Sequence, residues 1–107
     1  DDLSKDSLKQ IIKSSVDAAH KNNCNKVLFD HRGCHINIKL NELFNIAADV
    51  KILGLTTEFI CAIIYDVDPE KYKFSEKVIN NRINPECRFF DDFSQGLSWL
   101  LKGPPRA

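Results

Sequence analysis

The residues of this chain that could take part in chemistry follow three short apolar runs. Asp30-His31-Arg32 comes directly after the first run, Asp66-Val67-Asp68 after the second and Asp91-Asp92 after the third. The carboxyl ends of parallel strands meet at one edge of a sheet, where open α/β proteins bind their ligands. If the runs are parallel strands, we expect these acids, His31 and Arg32 to lie close together.

Two kinds of site could be built around the first of these clusters. His31, Cys34 and His35 lie within five positions, Cys24 lies upstream, and all four can ligate zinc. No second cluster completes a four-ligand set at a recognised spacing, so a plain loop explains these residues more simply. Cys34 beside His35 suggests a thiol nucleophile, but adjacent residues seldom face each other as a nucleophile and its base must. We therefore expect no metal site and no catalytic residue.

The acids could also hold a metal and a phosphoryl group, as the paired carboxylates of response regulators do. Only a single acid ends the first run, and helix capping explains Asp91-Asp92 more simply. The glycines are isolated, so no phosphate loop follows a strand and we expect no nucleotide cofactor. Arg82 could bind an anion, although a cation in the last turn of a helix is favourable by itself. The expected protein is not an enzyme.

The elements that must position these residues alternate along the chain. Apolar residues at helical spacing predict a helix over residues 4–23, with Ser4 as its N-cap. Lys26–Asp30 is a short apolar run typical of a parallel strand covered on both faces. Residues 59–65, rich in β-branched and aromatic side chains, predict the central strand, and Cys87–Phe90 predicts a third.

Three further helices are predicted between and after the strands. Apolar residues between positions 40 and 52 predict a second helix that Asn41 opens and Gly54 closes. Asp68-Pro69 supplies a cap and a proline at the first helical position for the third helix, which Asn84-Pro85 stops. Asp91 or Asp92 can cap the last helix.

The resulting order, α-β-α-β-α-β-α, predicts an α/β fold with a short, mainly parallel sheet and right-handed crossovers. A chain of 107 residues fits one domain, which we place at residues 1–102, followed by a flexible tail over 103–107. Three strands are few for such a sheet. We therefore expect one or two strands to precede Asp1 in the full gene product, or another chain to complete the sheet edge.

Charge and hydropathy exclude several classes of partner. Fifteen basic residues balance fifteen acidic ones without forming a stripe, which argues against nucleic acid. The longest apolar runs are far shorter than the roughly 20 residues of a transmembrane helix. The four cysteines are widely spaced without a C-x-x-C pair, and they predict free thiols in a soluble, cytoplasmic protein.

Three stretches taken together carry a family resemblance. They are Asn25-Lys26-Val27-Leu28-Phe29-Asp30 leading into Arg32, the helix from Phe74 to Asn81-Arg82, and Phe89-Phe90-Asp91-Asp92 through Trp99-Leu100. In this order they resemble the STAS-type domains, specifically the SpoIIAA-like group related to anti-sigma-factor antagonists. The likeness runs from about residue 3 to 101 and implies a strand or hairpin before the first helix. The group usually has glycine where this chain has Ile83, and alanine where it has Gly96.

The resemblance also implies a mode of action. Anti-sigma antagonists with this fold are switched by phosphorylation of a Ser or Thr that begins the helix after the Asp-ended strand. Residues 30–55 of this chain contain no Ser, Thr or Tyr, and Asn37, Ile38 or Lys39 stands near the expected place. The resemblance therefore implies a fold relative that lacks the phosphoswitch.

We expect a regulatory domain that binds a protein partner or associates with itself, for example as a dimer. Ile36 and Ile38 would be unusual in an exposed loop, which favours a contact surface there, but they could equally cover the end of the sheet. The candidate surface comprises Asp30, His31, Arg32, Ile36, Asn37, Ile38, Lys39 and Arg82. The alternative is a small-molecule or lipid pocket lined by some of the seven phenylalanines, which are otherwise core residues.

Overall fold

The computed structural model of the chain describes residues 2–39, 41–42, 45, 54, 58–82 and 86–102. These residues form a small α/β domain, as predicted. Its elements, in chain order, are β1 (Asp2–Leu3), α1 (Lys5–Lys21), β2 (Lys26–Asp30), β3 (His35–Ile36), β4 (Ile60–Ile64), α2 (Pro69–Arg82), β5 (Cys87–Phe90) and α3 (Phe93–Lys102). None of these helices is long and apolar enough to cross a membrane.

The sheet is built around β4. It has the order β2-β4-β5, and both pairings are parallel. Lys26 lies opposite Ile60 and Asp30 opposite Ile64, while Cys61 lies opposite Cys87. Every residue of β4 is buried, as expected for an apolar strand with helices on both of its faces. The predicted central strand and the parallel pairing are therefore confirmed.

Successive residues of the strands point to opposite faces of the sheet, and each face has its own apolar cluster. On the first face, β-strand residues such as Phe29 and Ile63 join side chains of α1 and α2. On the second face, Ile60 and Ala62 pack against Leu100 of α3, with Leu28, Phe90 and Trp99 partly buried around them. The helices therefore cover the sheet from both sides.

Two of the cysteines lie side by side in the core. Cys61 and Cys87 are direct neighbours in the β4–β5 register, and both are buried free thiols. The hydrogen bond between the two thiols and their burial raise the pKa of Cys61. Neutral thiols at these positions act as small apolar side chains, as the sequence predicted.

Helix α1 is fixed at both ends by polar groups. The side chain of Ser4 accepts a hydrogen bond from the Ser7 N–H, while the Ser7 hydroxyl accepts one from the Ser4 N–H, which makes a reciprocal capping box. At the other end the Asn22 side-chain amide donates to the Ala18 carbonyl at 2.8 Å. Asn23 then takes a left-handed conformation with φ 52° and turns the chain toward β2.

Two short strands were not predicted. β1 pairs in parallel with β3, Leu3 lying opposite Ile36, and the Asn37 N–H donates to the Leu3 carbonyl at 2.8 Å. Each strand has only two residues, too few to give a recognisable apolar run. The sequence signal for β3 is the alternation of polar and apolar residues in His35-Ile36-Asn37-Ile38, which are exposed, buried, exposed and buried in turn.

Some of the predictions concern residues that the structure describes only in part. Asn41, Glu42 and Asn45 have helical backbone, and Gly54 lies in a turn with φ 100°, in line with the predicted second helix and its end. The remainder of that helix, the Asn84-Pro85 stop and the 103–107 tail lie outside the described residues.

Close packing between α3 and the sheet predicts the effect of a single methyl group. A Cβ at Gly96 would overlap the Cδ1 of Ile64, which is fully buried, and would lie 3.2 Å from the Phe90 ring. We expect Gly96→Ala to lower the free energy of unfolding by about 1–3 kcal/mol, because the overpacking outweighs the gain in helix propensity.

Chemical denaturation of the purified chain measures this change. Ser98→Ala, at an exposed position of the same helix, is the matched control and should not lower the free energy of unfolding. A Gly96→Ala variant as stable as the control would show that Ile64 can move aside at no cost.

Candidate functional site

A tight turn follows β2 at the carboxyl end of the sheet. The His31 N–H still donates to the Ile64 carbonyl at 2.8 Å, and the Cys34 N–H then closes the turn on the His31 carbonyl at 3.0 Å. Gly33 has a φ of 79°, a conformation that other residues seldom adopt. Because a Cβ at Gly33 would meet nothing within 4 Å, the backbone conformation and not a lack of space favours glycine.

Three carboxylates hold this turn and the β3 segment after it. Asp30 Oδ1 accepts from the Arg32 N–H at 3.2 Å, and Asp66 Oδ1 accepts from the Gly33 N–H at 2.7 Å. Asp68 Oδ2 accepts from the Ile36 N–H at 2.9 Å and lies 3.2 Å from His35 Nδ1. The acids at the ends of β2 and β4 therefore converge as predicted, but their oxygens bind the backbone of one loop.

The start of α2 supplies the matching donors. Lys71 Nζ donates to the Ile36 carbonyl at 2.7 Å, and the Tyr72 hydroxyl donates to the Cys34 carbonyl at 2.8 Å. Asp68 precedes this helix with a φ of 52°, a left-handed conformation that aspartate tolerates better than most residues. The loop over residues 31–37, which we call the strand-end loop, is thus fastened through both its N–H groups and its carbonyls.

His31 is a core residue of this loop. Its side chain lies in the interior, with the residue only 7% exposed, and its ring stacks between Phe29 at 5.9 Å and Tyr72 at 6.3 Å. Burial lowers its pKa below the ordinary value of 6.5, although the charge of Asp30 acts in the opposite direction. Burial therefore favours the neutral form of the imidazole in the folded protein.

Arg32 is an exposed, charged group that the loop holds in a fixed position. Its Nε and Nη2 donate to the two oxygens of Asp30 at 2.9 and 2.8 Å, and its Cζ lies 4.8 Å from the centre of the Phe93 ring. Its side chain nevertheless remains 49% exposed. The bidentate hydrogen bond from Arg32 lowers the pKa of Asp30, so the pair stays charged.

The predicted contact surface is only partly exposed. Asp30, Arg32, Asn37 and Lys39 lie at the surface. Ile36 and Ile38, at 5% and 3% exposure, are buried in the first apolar cluster, so of the two interpretations left open by the sequence the exposed contact is excluded. They cover the end of the sheet instead, because β3 turns alternate side chains inward. His31 is buried for the reason given above. Arg82 is the last residue of α2, and its side chain lies outside the described residues.

The possible zinc ligands do not converge. Cys24 lies before β2, at the opposite end of the sheet from the strand-end loop, and its thiol contacts the Lys26 carbonyl at 3.4 Å. The Cys34 thiol lies 3.9 Å from the Arg32 carbonyl, while the His35 ring faces Asp68. In the described part of the chain, no three side chains of His, Cys, Asp or Glu are placed to hold a metal ion.

The acids after β5 have a separate role. The Gln95 N–H donates to Asp92 Oδ1 at 3.2 Å, so Asp92 caps the start of α3. Of the two predicted capping residues, Asp92 is therefore the one whose side chain bonds to the first turn. This helix brings Phe93 under the Arg32 guanidinium, a contact that the spacing in the sequence did not indicate.

A polar cleft of about 300 Å³ lies at the opposite, amino-terminal end of the strands. His20 Nε2 lies 3.4 Å from Glu58 Oε1, and the His20 ring packs against Phe59 with centroids 5.5 Å apart. The other lining residues are Ala19, Asn23, Cys24 and Asn25. Both ionisable side chains are more than half exposed, so their pairing is of the kind that contributes little to stability.

The strand-end loop presents a polar surface that could contact another molecule. Asp66 and Asp68 are occupied by backbone N–H groups, and Asp30 is occupied by Arg32. The groups turned outward are the Arg32 guanidinium and the neighbouring polar side chains. The chain matches no family model, no curated protein and no solved structure.

The loop contacts predict that Asp68 is needed for stability. Asp68→Ala leaves the part-buried Ile36 N–H without its acceptor, and we expect a loss of about 1–3 kcal/mol in the free energy of unfolding. Asp68→Asn keeps a side-chain oxygen as acceptor, and its loss in the free energy of unfolding should be smaller. Asp91→Ala, which removes an exposed acid after β5, is the matched control and should stay within about 0.5 kcal/mol of the parent chain. Equal losses for Asp68→Ala and Asp91→Ala would contradict the role assigned to Asp68.

Burial of His31 predicts a pH dependence. Because its pKa in the fold lies below its ordinary value of 6.5, the unfolded chain binds more protons between these two values, and stability there rises with pH. We expect the free energy of unfolding to decrease as the pH falls below about 6.5, and His31→Leu to flatten this decrease. Urea denaturation at several pH values measures the slope. Gly96→Ala serves as a destabilised control that should keep the slope; a His31→Leu slope like that of the parent chain would refute the assignment.

Proposed function

We propose that this chain is a non-catalytic, STAS-like regulatory domain that binds a protein partner through the strand-end loop. The proposal is supported by the alternation of helices and parallel strands around a short sheet, which is the order that the SpoIIAA-like resemblance implies. It is also supported by the use of the acids at the strand ends, whose oxygens hold the loop and leave a fixed charged surface.

The observation that carries the proposal is the setting of Arg32. Arginine is enriched among the residues that dominate binding energy at protein interfaces, since it offers both a planar cation and apolar contact area. Here the guanidinium is held by Asp30 on one side and by the Phe93 ring on another, so little side-chain freedom is left to lose on binding. Its exposed donors suit a partner that presents carboxylates or backbone carbonyls.

In this proposal the interaction is not controlled by phosphorylation of the helix after β2. The segment over residues 30–55 has no hydroxyl side chain to modify, and the residues nearest the expected position are Asn37, Ile38 and Lys39. None of these three side chains carries a hydroxyl that a kinase could phosphorylate; Asn37 and Lys39 lie at the surface and Ile38 is buried. The domain would therefore bind its partner constitutively, or be controlled at another site.

The alternative, a pocket for a small apolar ligand, has weaker support. The number of phenylalanines suggested such a pocket. The phenylalanines that the structure describes pack into the two apolar clusters or against Arg32. Phe29 and Phe59 are buried in the first cluster, Phe74 and Phe89 pack against it, Phe90 packs against the second cluster and Phe93 lies under Arg32. Native mass spectrometry of the protein taken from cells would favour this alternative if it showed a bound mass of a few hundred daltons (roughly drug- or lipid-sized).

Substitution of Arg32 tests the proposed surface. We expect proteins captured from the native cells by the parent chain to include a partner whose recovery falls by at least about tenfold with Arg32→Ala, since an interface hot spot contributes about 2 kcal/mol or more. Quantitative mass spectrometry of the captured proteins measures this. Arg88→Ala, at an exposed position of β5, is the control and should leave recovery unchanged. A partner set that responds equally to both variants would exclude the strand-end loop as the binding surface.

A further inference from the structure

We propose that the edge of β2 that faces away from β4 is a docking site for the β2 strand of a second copy of this chain. The two strands would pair antiparallel about a two-fold axis at Leu28 and join the sheets of both copies into one. This inference concerns the backbone edge of the sheet. It does not depend on the function proposed for the strand-end loop.

The hydrogen bonds to β4 establish which backbone groups of β2 are in use. The Ile60 N–H donates to the Asn25 carbonyl, and the His31 N–H donates to the Ile64 carbonyl, both at 2.8 Å. In a parallel ladder of this register, residues 25, 27, 29 and 31 bond to β4, and the backbone groups of residues 26, 28 and 30 point away from it. Over the described ranges, no group bonds to the outward N–H and C=O of Leu28 and Asp30. The outward N–H and C=O of Lys26 contact the Cys24 thiol at 3.5 and 3.4 Å, so this exposed side chain must move aside for a strand to pair there.

The opposite edge of the sheet is closed. β5 is the outer strand there, and the Phe89 N–H, which points away from β4, donates to Glu76 Oε2 of α2 at 2.8 Å. This carboxylate occupies a donor that an added strand would need, which is one of the ways in which proteins prevent unwanted strand pairing. Among the described residues no acid plays this part at Leu28, so β2 is the edge open to extension.

The sequence of β2 is complementary to itself in the antiparallel direction. A two-fold axis at Leu28 places Lys26 of one copy opposite Asp30 of the other, where it would join the existing Asp30–Arg32 ion pair, and the same arrangement recurs on the other side of the axis. Opposite charges directly across two strands stabilise their pairing. In a one-residue slip either way, Lys26 and Asp30 would no longer lie opposite each other. The charges therefore favour this register.

Exposed apolar surface lies beside the same edge. Lys26 Nζ donates to the Leu101 carbonyl at 3.3 Å, which places the end of α3 next to the start of β2. The Leu101 side chain is 68% exposed, the most exposed of the large hydrophobic residues described. Pairing of two β2 strands would bring this leucine toward the second copy and bury part of it.

Amide exchange of the 107-residue chain at low and high concentration tests the proposal residue by residue. Leu28 and Asp30 should exchange fast in the dilute chain and slow by at least about tenfold when the chain is mostly dimeric, as measured by NMR. Val27 and Phe29, which donate to β4, should be protected at both concentrations. The mass measured by light scattering should change from that of a monomer to that of a dimer over the same range.

A charge reversal tests the register. Lys26→Glu places like charges opposite each other at both ends of the paired strands, and the dissociation constant of the dimer should rise by about tenfold or more. Lys21→Glu makes the same change in net charge at an exposed position of α1 and should leave the dimer intact. Circular dichroism of both variants shows whether each remains folded.

Four results would overturn the proposal. The chain remains monomeric at the highest concentration used for NMR; a dimer forms while Leu28 still exchanges fast; or Lys26→Glu and Lys21→Glu weaken the dimer equally. Protection of Leu28 in the monomer would instead show that another segment of the same chain occupies this edge, and would also overturn the second copy as its occupant.

Discussion

The structure depends on the complete burial of β4. A strand of five apolar residues can be stable in the interior only if both of its backbone edges are paired and both of its faces are covered. β2 and β5 pair with its edges, while α1, α2 and α3 cover its faces. The positions of the other elements follow from this requirement, and so does the convergence of the chain at the carboxyl end of β4, where Asp66 and Asp68 meet the loop after β2.

The acids at this end show how residues suited to chemistry can serve the fold. A loop that crosses the ends of parallel strands has N–H groups without ladder partners, and leaving them unpaired in a partly buried place is costly. Aspartates directly after the strands are short enough to accept these hydrogen bonds. Asp66 and Asp68 do so for Gly33 and Ile36, and this use explains why they are acids without requiring that they act on a substrate.

The three longer strands, β2, β4 and β5, and the helices could be predicted from the sequence because the residue patterns that indicate them are local. The apolar run of β2, the β-branched run of β4 and the Ser4 cap of α1 each determine their element with little help from distant residues. The fastening of the strand-end loop could not be predicted in this way. It joins Cys34 to Tyr72 and Ile36 to Asp68, residues more than thirty positions apart, and a sequence does not show such contacts by spacing.

Ile36 and Ile38 were ambiguous for the same reason, because their burial depends on the pairing of β3 with a two-residue strand at the start of the chain. The need for glycine at position 96 is a further non-local effect, because it comes from the close contact with Ile64.

The neighbouring thiols of Cys61 and Cys87 can report how often the core of the protein opens. Their burial, together with the raised pKa of Cys61, keeps them from reacting with an alkylating reagent while β4 and β5 remain paired, whereas Cys24 is exposed. The rate at which the buried pair becomes labelled, compared with the rate at Cys24, therefore measures how often the centre of the sheet opens. No probe has to be introduced, so the opening of the native core can be followed without disturbing it.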